Sequence, residues 1–263
     1  MSSSEKPSIV FIGAGNIATS LAISLYNADC RILQIFSRAI GTAQTLAKKV
    51  NAKAINSISN IDNSADYYFI CVPDRVIKGV TDELENINGI VVHTSGSTDI
   101  SILSKFSKYG VFYPFQTFSK NRIIPLNDVT ICLSANNNDV YQSINSIASL
   151  MTNRVLQMDT STRSWLHLSG VISNNFTNHL LALSYQISKE KGFDFELLKP
   201  LVLETVQKAF EGNPSNAQTG PAIRFDQTTI NLHLEKLKEY SPQLADLYKA
   251  LTLSIQSLAK NSD

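Results

Sequence analysis

Near the front of the chain an apolar, β-branched run, Val10-Phe11-Ile12, breaks into Gly13-Ala14-Gly15-Asn16-Ile17-Ala18, a Gly-x-Gly-x-x-Ala pattern that closes a strand and opens a helix. Gly13 permits the tight turn, Gly15 lets the backbone approach a pyrophosphate, and the small Ala18 lets the helix pack closely on the strand. The helix N-terminus at Asn16 and Ile17 then turns unpaired N–H groups and a partial positive charge toward phosphates. The alternative is an ordinary glycine turn, and the placement between strand and helix argues against it.

The residues that follow repeat the alternation expected of βαβ units around a parallel sheet. Strands are expected at Ser8 to Ile12, Arg31 to Phe36, Ala52 to Ile55, Asp66 to Val72, Ile90 to Thr94 and Val111 to Tyr113. Helices are expected between them at Asn16 to Asn27, Ala39 to Val50, Asp74 to Glu85 and Thr98 to Lys108. Val129 to Leu133 and Arg154 to Met158 flank an amphipathic segment from Asp139 to Thr152 and close the sheet. From Ser161 the period becomes helical, with one long helix to Lys189, a second over Phe195 to Phe210 that Pro200 either kinks or delays, and two more over Thr228 to Tyr240 and Pro242 to Lys260. The expected architecture is α/β: a Rossmann-type parallel sheet domain over residues 1–158, then an all-helical domain over residues 159–263.

Apolar residues make up 43% of the 263 and charged residues 17%, enough to bury and too little charge for a disordered chain. Lys plus Arg number 23 against Asp plus Glu 22, so no global field draws in nucleic acid or an anionic membrane. Cys30, Cys71 and Cys132 are odd in number and lack paired spacing, as expected of reduced cysteines. No His or Cys cluster has metal-ligand spacing. The Ser-rich start, Met1 to Pro7, lacks an export signal, and no run reaches membrane-span length, so the expected location is the cytoplasm.

An acidic residue about 20 positions after the glycines would hold the ribose 2′-hydroxyl of NAD. That place reads Ile35-Phe36-Ser37-Arg38, and no Asp or Glu occurs between Asp29 and Asp62. A 2′-phosphate would meet the Ser37 hydroxyl and the Arg38 guanidinium and no carboxylate, so the expected cofactor is NADP(H). Cys71-Val72-Pro73-Asp74 and His93-Thr94-Ser95-Gly96-Ser97 follow two later strands and point to the same cleft. Val72 and Pro73 are expected to wall the nicotinamide, and Thr94 and Ser95 to lie near the reacting centre. Plain turns capped by Asp74 and Thr98 are the alternative.

These segments, together with Tyr113-Pro114-Phe115-Gln116-Thr117-Phe118 and Gly220-Pro221-Ala222-Ile223-Arg224-Phe225-Asp226, resemble the two-domain Rossmann-like oxidoreductases related to pyrroline-5-carboxylate reductase and ketopantoate reductase. The resemblance covers nearly the whole chain. Members usually carry His-Pro where this chain has Tyr113-Pro114, and Arg-Gly-Asp where it has Arg224-Phe225-Asp226. Some members resemble an alternative ketopantoate reductase, which implies reduction of 2-dehydropantoate to pantoate with NADPH.

On the first long helix, about 100° per residue places His167, Asn174, Asn178 and Tyr185 on one face, with Asn175 beside it and apolar residues elsewhere. Such an amide line suggests a buried polar site. Trp165-Leu166-His167 and Asn175 are similar to the ketopantoate reductase helix that carries a catalytic Lys and a substrate-binding Asn, with His167 in the Lys position. The resemblance thus implies His167 as proton donor, Asn175 and Asn178 as positioners of the substrate oxygen or hydroxyl, and Arg224 as anchor of a substrate carboxylate, with Asp226 orienting Arg224 or His233. A hydrogen-bonded domain core or dimer interface is the competing reading. The expected function is NADPH-dependent reduction of a small carboxylated oxo compound by a homodimer joined through its helical domain. A pyrroline-5-carboxylate reductase-like imine reductase and a non-catalytic NADPH sensor are the rivals.

Overall fold

The structure is a computed structural model and describes residues 6–119 and 122–260. The start read as lacking an export signal falls largely on residues 1–5, outside the described residues. Compactness divides the chain into two units, Met1–His179 and Leu180–Asp263.

The first unit is built on the strands Ser8–Ile12 (β1), Arg31–Phe36 (β2), Lys53–Ile55 (β3), Tyr67–Ile70 (β4), Ile90–His93 (β5), Tyr109–Phe115 (β6), Thr130–Ala135 (β7) and Val155–Gln157 (β8). They form one sheet in the order β3-β2-β1-β4-β5-β6-β7-β8. Every pairing is parallel except β6 with β7. That exception follows from the connection, because the described residues between the two strands hold no helix to carry a parallel crossover.

All of β1 is buried, as a strand covered on both faces must be, and so it reads as an unbroken apolar run rather than an alternation. Ile9 and Phe11 face a core made with Asn16–Asn27 (α1), Ile40–Lys49 (α2) and a helix over Asn138–Ser149; Val10 and Ile12 face the opposite core with Asp74–Glu83 (α3). The Asn138–Ser149 helix is α4. Phe11 stacks on Phe69 at 5.2 Å, and Phe69 meets Phe112 edge-on at 5.0 Å. Each such pair adds about 1 kcal/mol to the burial that ties β1 and β4 to the β6 side of the sheet.

Two expectations are corrected. Residues 98–108 form no α-helix but a single 3₁₀ turn, Ile100–Leu103, before β6 begins. The Asp99 carboxylate caps Ser101, and a segment carrying Ser101, Ser104 and Ser107 offers the backbone local alternatives to a helix. The long helix from Ser161 is likewise not uniform: Thr160–Gly170 (α5) passes into a π-helical segment, Val171–Phe176, and then into Thr177–Lys191 (α6). Ser169 and Ser173 hydrogen-bond back to the carbonyls of Trp165 and Ser169, a pattern that bends helices, and a Cβ on Gly170 would lie 2.8 Å from the Phe115 ring.

The second unit is helical. Lys199–Glu211 (α7) begins late, with Pro200 in its first turn, where the missing N–H costs nothing. Gln227–Tyr240 (α8) and Pro242–Lys260 (α9) pack together, each burying an apolar residue, Ile230 and Ala245, and His233 Nδ1 lies 2.9 Å from the Tyr248 hydroxyl. Among the described residues no helix is long and apolar enough to cross a membrane.

Candidate active site

Within the first unit, the loops after β1, β4 and β5, the end of β6, and the junction of α5 with the π segment line a cleft of about 600 Å³. It opens where the strand order reverses between β1 and β4, the place where open α/β sheets bind ligands.

The β1 loop is shaped for a nucleotide. Gly13 sits at φ +119°, and a Cβ there would fall 2.2 Å from the Cys71 carbonyl oxygen; its N–H donates to the Phe36 carbonyl at 2.9 Å. A Cβ on Gly15, by contrast, would meet nothing within 4 Å, so the backbone there faces open space. Helix α1 has no side-chain cap and no acidic residue in its first turn, leaving its N–H groups for an anion. Gly15, Asn16 and Ile17 all line the cleft, although the Asn16 amide donates to the Phe118 carbonyl at 2.8 Å and so braces the loop instead of reaching a ligand. Ser37 and Arg38 follow β2 beside this turn, with Arg38 exposed and free of any ion pair among the described residues. These residues fit a dinucleotide carrying a 2′-phosphate.

Val72 and Pro73 line the cleft after β4, as expected of a nicotinamide wall. Thr94 and Ser95 also line it, but their hydroxyls are engaged internally. Thr94 donates to the Ile70 carbonyl at 3.5 Å, while Ser95 Oγ donates to Thr98 and accepts from the N–H groups of Ser97 and Thr98.

Opposite the nucleotide loop stands His167. Its Nδ1 lies 2.9 Å from the Tyr113 hydroxyl, and the two rings meet edge-on at 6.0 Å. Burial pushes the Tyr113 phenol up to about 12, so it remains protonated. Asn174 and Asn175 line the same cleft, and the Asn174 amide donates to Asn175 Oδ1 at 3.2 Å. The expectation of a buried amide line is corrected on two counts: both amides are exposed, and Asn178, also exposed, does not line the cleft. The π segment adds a residue to the turn, so everything beyond it is rotated away from the face computed at 100° per residue.

Arg224 lies in the second unit, exposed, just before α8. Among the described residues Asp226 makes no ion pair with it: the carboxylate caps α8, accepting from the Thr229 N–H at 3.1 Å and the Thr229 hydroxyl at 2.8 Å, and feels the charges of Arg224 and His233 only at longer range, while His233 is engaged by Tyr248. Phe225 occupies φ +53°, a left-handed conformation that explains why a glycine is the easier residue there.

Beneath the cleft, Arg163 is 1% exposed and fastens α5 to the sheet, donating to the Thr98 carbonyl at 2.6 Å and to Ser134 at 3.3 Å. His93, at the end of β5, is fully buried with Nε2 unpartnered. Burial, reinforced by the Arg163 charge, pushes its imidazole down to about 4 from 6.5. Since the unfolded chain binds a proton that the folded one refuses, stability is lost as pH falls from 6.5 toward 4, up to about 3 kcal/mol. Urea midpoints measured at pH 7 and near pH 5 should differ in the wild type, and His93→Leu should shrink the difference.

Sequence reasoning missed Gly96, Phe115, Phe118 and the part played by Tyr113. The Tyr113–His167 contact joins residues 54 positions apart, which no local pattern reports.

A family described as NADP oxidoreductase, coenzyme F420-dependent, matches residues 8–95, and a domain of unknown function, DUF2520, matches residues 129–255. No curated protein matches the chain. The crystal structure of a Bacteroides fragilis protein assigned as an NADP oxidoreductase is 36% identical, covers 96% of this chain and 99% of that one, and superposes with a TM-score of 0.90. A Coxiella burnetii pyrroline-5-carboxylate reductase (18% identity, 98% of each chain, TM-score 0.55) and a Myxococcus stipitatus imine reductase in complex with NADP⁺ (14% identity, 97% of this chain and 94% of that one, TM-score 0.63) share the fold. With a nucleotide loop of the required geometry, a match over nearly its whole length and a matching family model at its front, the chain belongs to the Rossmann-like NADP oxidoreductase family of the Bacteroides fragilis protein.

Proposed function

We propose that the chain reduces a small oxo acid, 2-dehydropantoate to pantoate in the first instance, as a step in pantothenate synthesis. Bound NADPH supplies the hydride. His167 donates a proton to the oxygen on which negative charge develops, Asn175 with Asn174 positions that oxygen or a neighbouring hydroxyl, and Val72 and Pro73 keep water from the nicotinamide side. The anchor proposed for the substrate carboxylate is Arg224, and the 2′-phosphate of the cofactor falls to Ser37 and Arg38. The observation that carries the reading is a hydrogen-bonded imidazole, His167, facing the same cleft as the nucleotide loop.

A second reading has its own support. The described residues lining the cleft include Asp74 but no Arg or Lys, and a carboxylate there favours a cationic iminium as the reacting centre over a neutral carbonyl, while the carboxyl group that both substrates carry needs a cation from outside that lining. Pyrroline-5-carboxylate is therefore the substrate to run in parallel. Oxidation of NADPH with 2-dehydropantoate alone supports the first reading, and oxidation with the cyclic imine alone replaces it with the second. If the oxo acid turns over, Arg224→Ala should raise its KM about tenfold or more, the loss of one charge-assisted contact, and an unchanged KM would remove Arg224 from the site.

We place the chain in the cytoplasm as a homodimer through its helical region. Leu197 at 70% exposure and Phe210 at 88%, both in the helical unit, support the homodimer, since exposed large apolar side chains mark contact surfaces. Sedimentation at the monomer mass would contradict it.

A further inference from the structure

Two of the positions at which this chain departs from the reductases it resembles, Tyr for His at 113 and His for Lys at 167, touch each other. We propose that Tyr113 is a positioning residue: its hydroxyl donates to Nδ1 of His167 and so fixes the imidazole tautomer that presents Nε2–H to the substrate oxygen. The inference rests on His167 being the proton donor.

The available partners favour one direction of the hydrogen bond. Among the described residues the Tyr113 hydroxyl has one partner, Nδ1 at 2.9 Å. If Nδ1–H donated instead, the phenolic proton of a side chain only 7% exposed would have no acceptor among the described residues and would have to turn to solvent in the cleft. That arrangement would also leave Nε2 as a bare lone pair, able to take a proton but not to give one. When Nε2 gives its proton to the substrate oxygen, Nδ1 takes the Tyr113 phenolic proton in the same step, so the ring stays neutral, the phenolate left on Tyr113 is reprotonated from solvent, and the imidazole keeps its orientation through turnover.

The surroundings are built to hold this pair and little else. A Cβ on Gly96 would lie 2.6 Å from His167 Nδ1 and 2.8 Å from Tyr113 Cζ, so the loop after β5 presses directly against the contact. One turn before His167, the buried Arg163 anchors α5 to the Thr98 carbonyl and Ser134. Tyr113 itself sits in β6 opposite Cys132 and packs in one buried cluster with Val111 and Cys132. The same restraint that makes the pair rigid makes the tautomer a structural property, present without substrate.

Nitrogen NMR of the full chain labelled in its four histidine rings reads the tautomer directly, with His167→Gln assigning the signal. The neutral His167 ring should show an unprotonated Nδ1 and a protonated Nε2. Tyr113→Phe should move both nitrogens toward the averaged values of a free imidazole. It should also lower kcat about tenfold, the loss of one hydrogen bond, with KM kept. A protonated Nδ1 in the wild type, or a Tyr113→Phe ring with unchanged tautomer, overturns the proposal. Should neither oxo acid nor imine turn over while Tyr113→Phe still shifts the ring, Tyr113 keeps its role and the reading of His167 as proton donor fails.

Discussion

Replacing His167 by Ala should lower kcat by about 10²- to 10⁴-fold, the range of a lost general acid, while the dissociation constant for NADPH stays as it was. The two effects separate because His167 lies across the cleft from the nucleotide loop and is held by Tyr113 and α5, not by any residue that shapes the turn after β1. A structural His in this place would behave differently, since its removal would lower thermal stability and leave the turnover of the surviving protein intact. Stopped-flow turnover together with cofactor titration of the same sample distinguishes the two cases. A His167→Ala protein that reduces substrate at the wild-type rate removes the residue from the chemistry.

The two glycines of the front turn should fail in opposite ways. Gly13→Ala places a Cβ 2.2 Å from a backbone oxygen at φ +119°, where neither the residue nor the Cys71 carbonyl can yield cheaply. Strain and overpacking together should cost roughly 2–6 kcal/mol, enough to unfold a protein of ordinary stability. Gly15→Ala meets nothing within 4 Å and sits at φ −79°, so the apoprotein should be as stable as the wild type or gain up to about 1 kcal/mol. Its Cβ instead enters the space that a pyrophosphate would fill, and the affinity for NADPH should drop by about 10- to 100-fold. Thermal melts with and without NADPH read both effects. A Gly15→Ala protein that binds NADPH normally would contradict the placement of the phosphates.

Much of the sheet was legible because its information is local. The buried runs of β1 and β2 and the helices α1 and α9 begin and end within a residue of where β-branched clusters, Gly13, Asn27 and Pro242 put them. Residues 98–108 misled because their spacing of apolar residues is helical, while Asp99 and the serines favour a single turn. The antiparallel β6–β7 pairing turned on a connection without a helix, a non-local fact. The cleft was half legible. Gly15, Val72 and Thr94 follow strand ends, which a pattern reports, whereas the π segment that carries Asn174 into the cleft and turns Asn178 out of it breaks the period on which the helix reading relied. Tyr113 and Gly96 gain their meaning only from what folds against them.

Rates of cofactor oxidation by the wild-type chain with NADPH and with NADH, each with 2-dehydropantoate and with pyrroline-5-carboxylate, test the account most directly. It predicts turnover that requires one of these substrates, with kcat/KM for NADPH at least about tenfold above that for NADH, the value of a charged contact from Arg38 to the 2′-phosphate. Tight NADPH binding with no oxidation by either substrate would contradict it and leave a nucleotide sensor in its place.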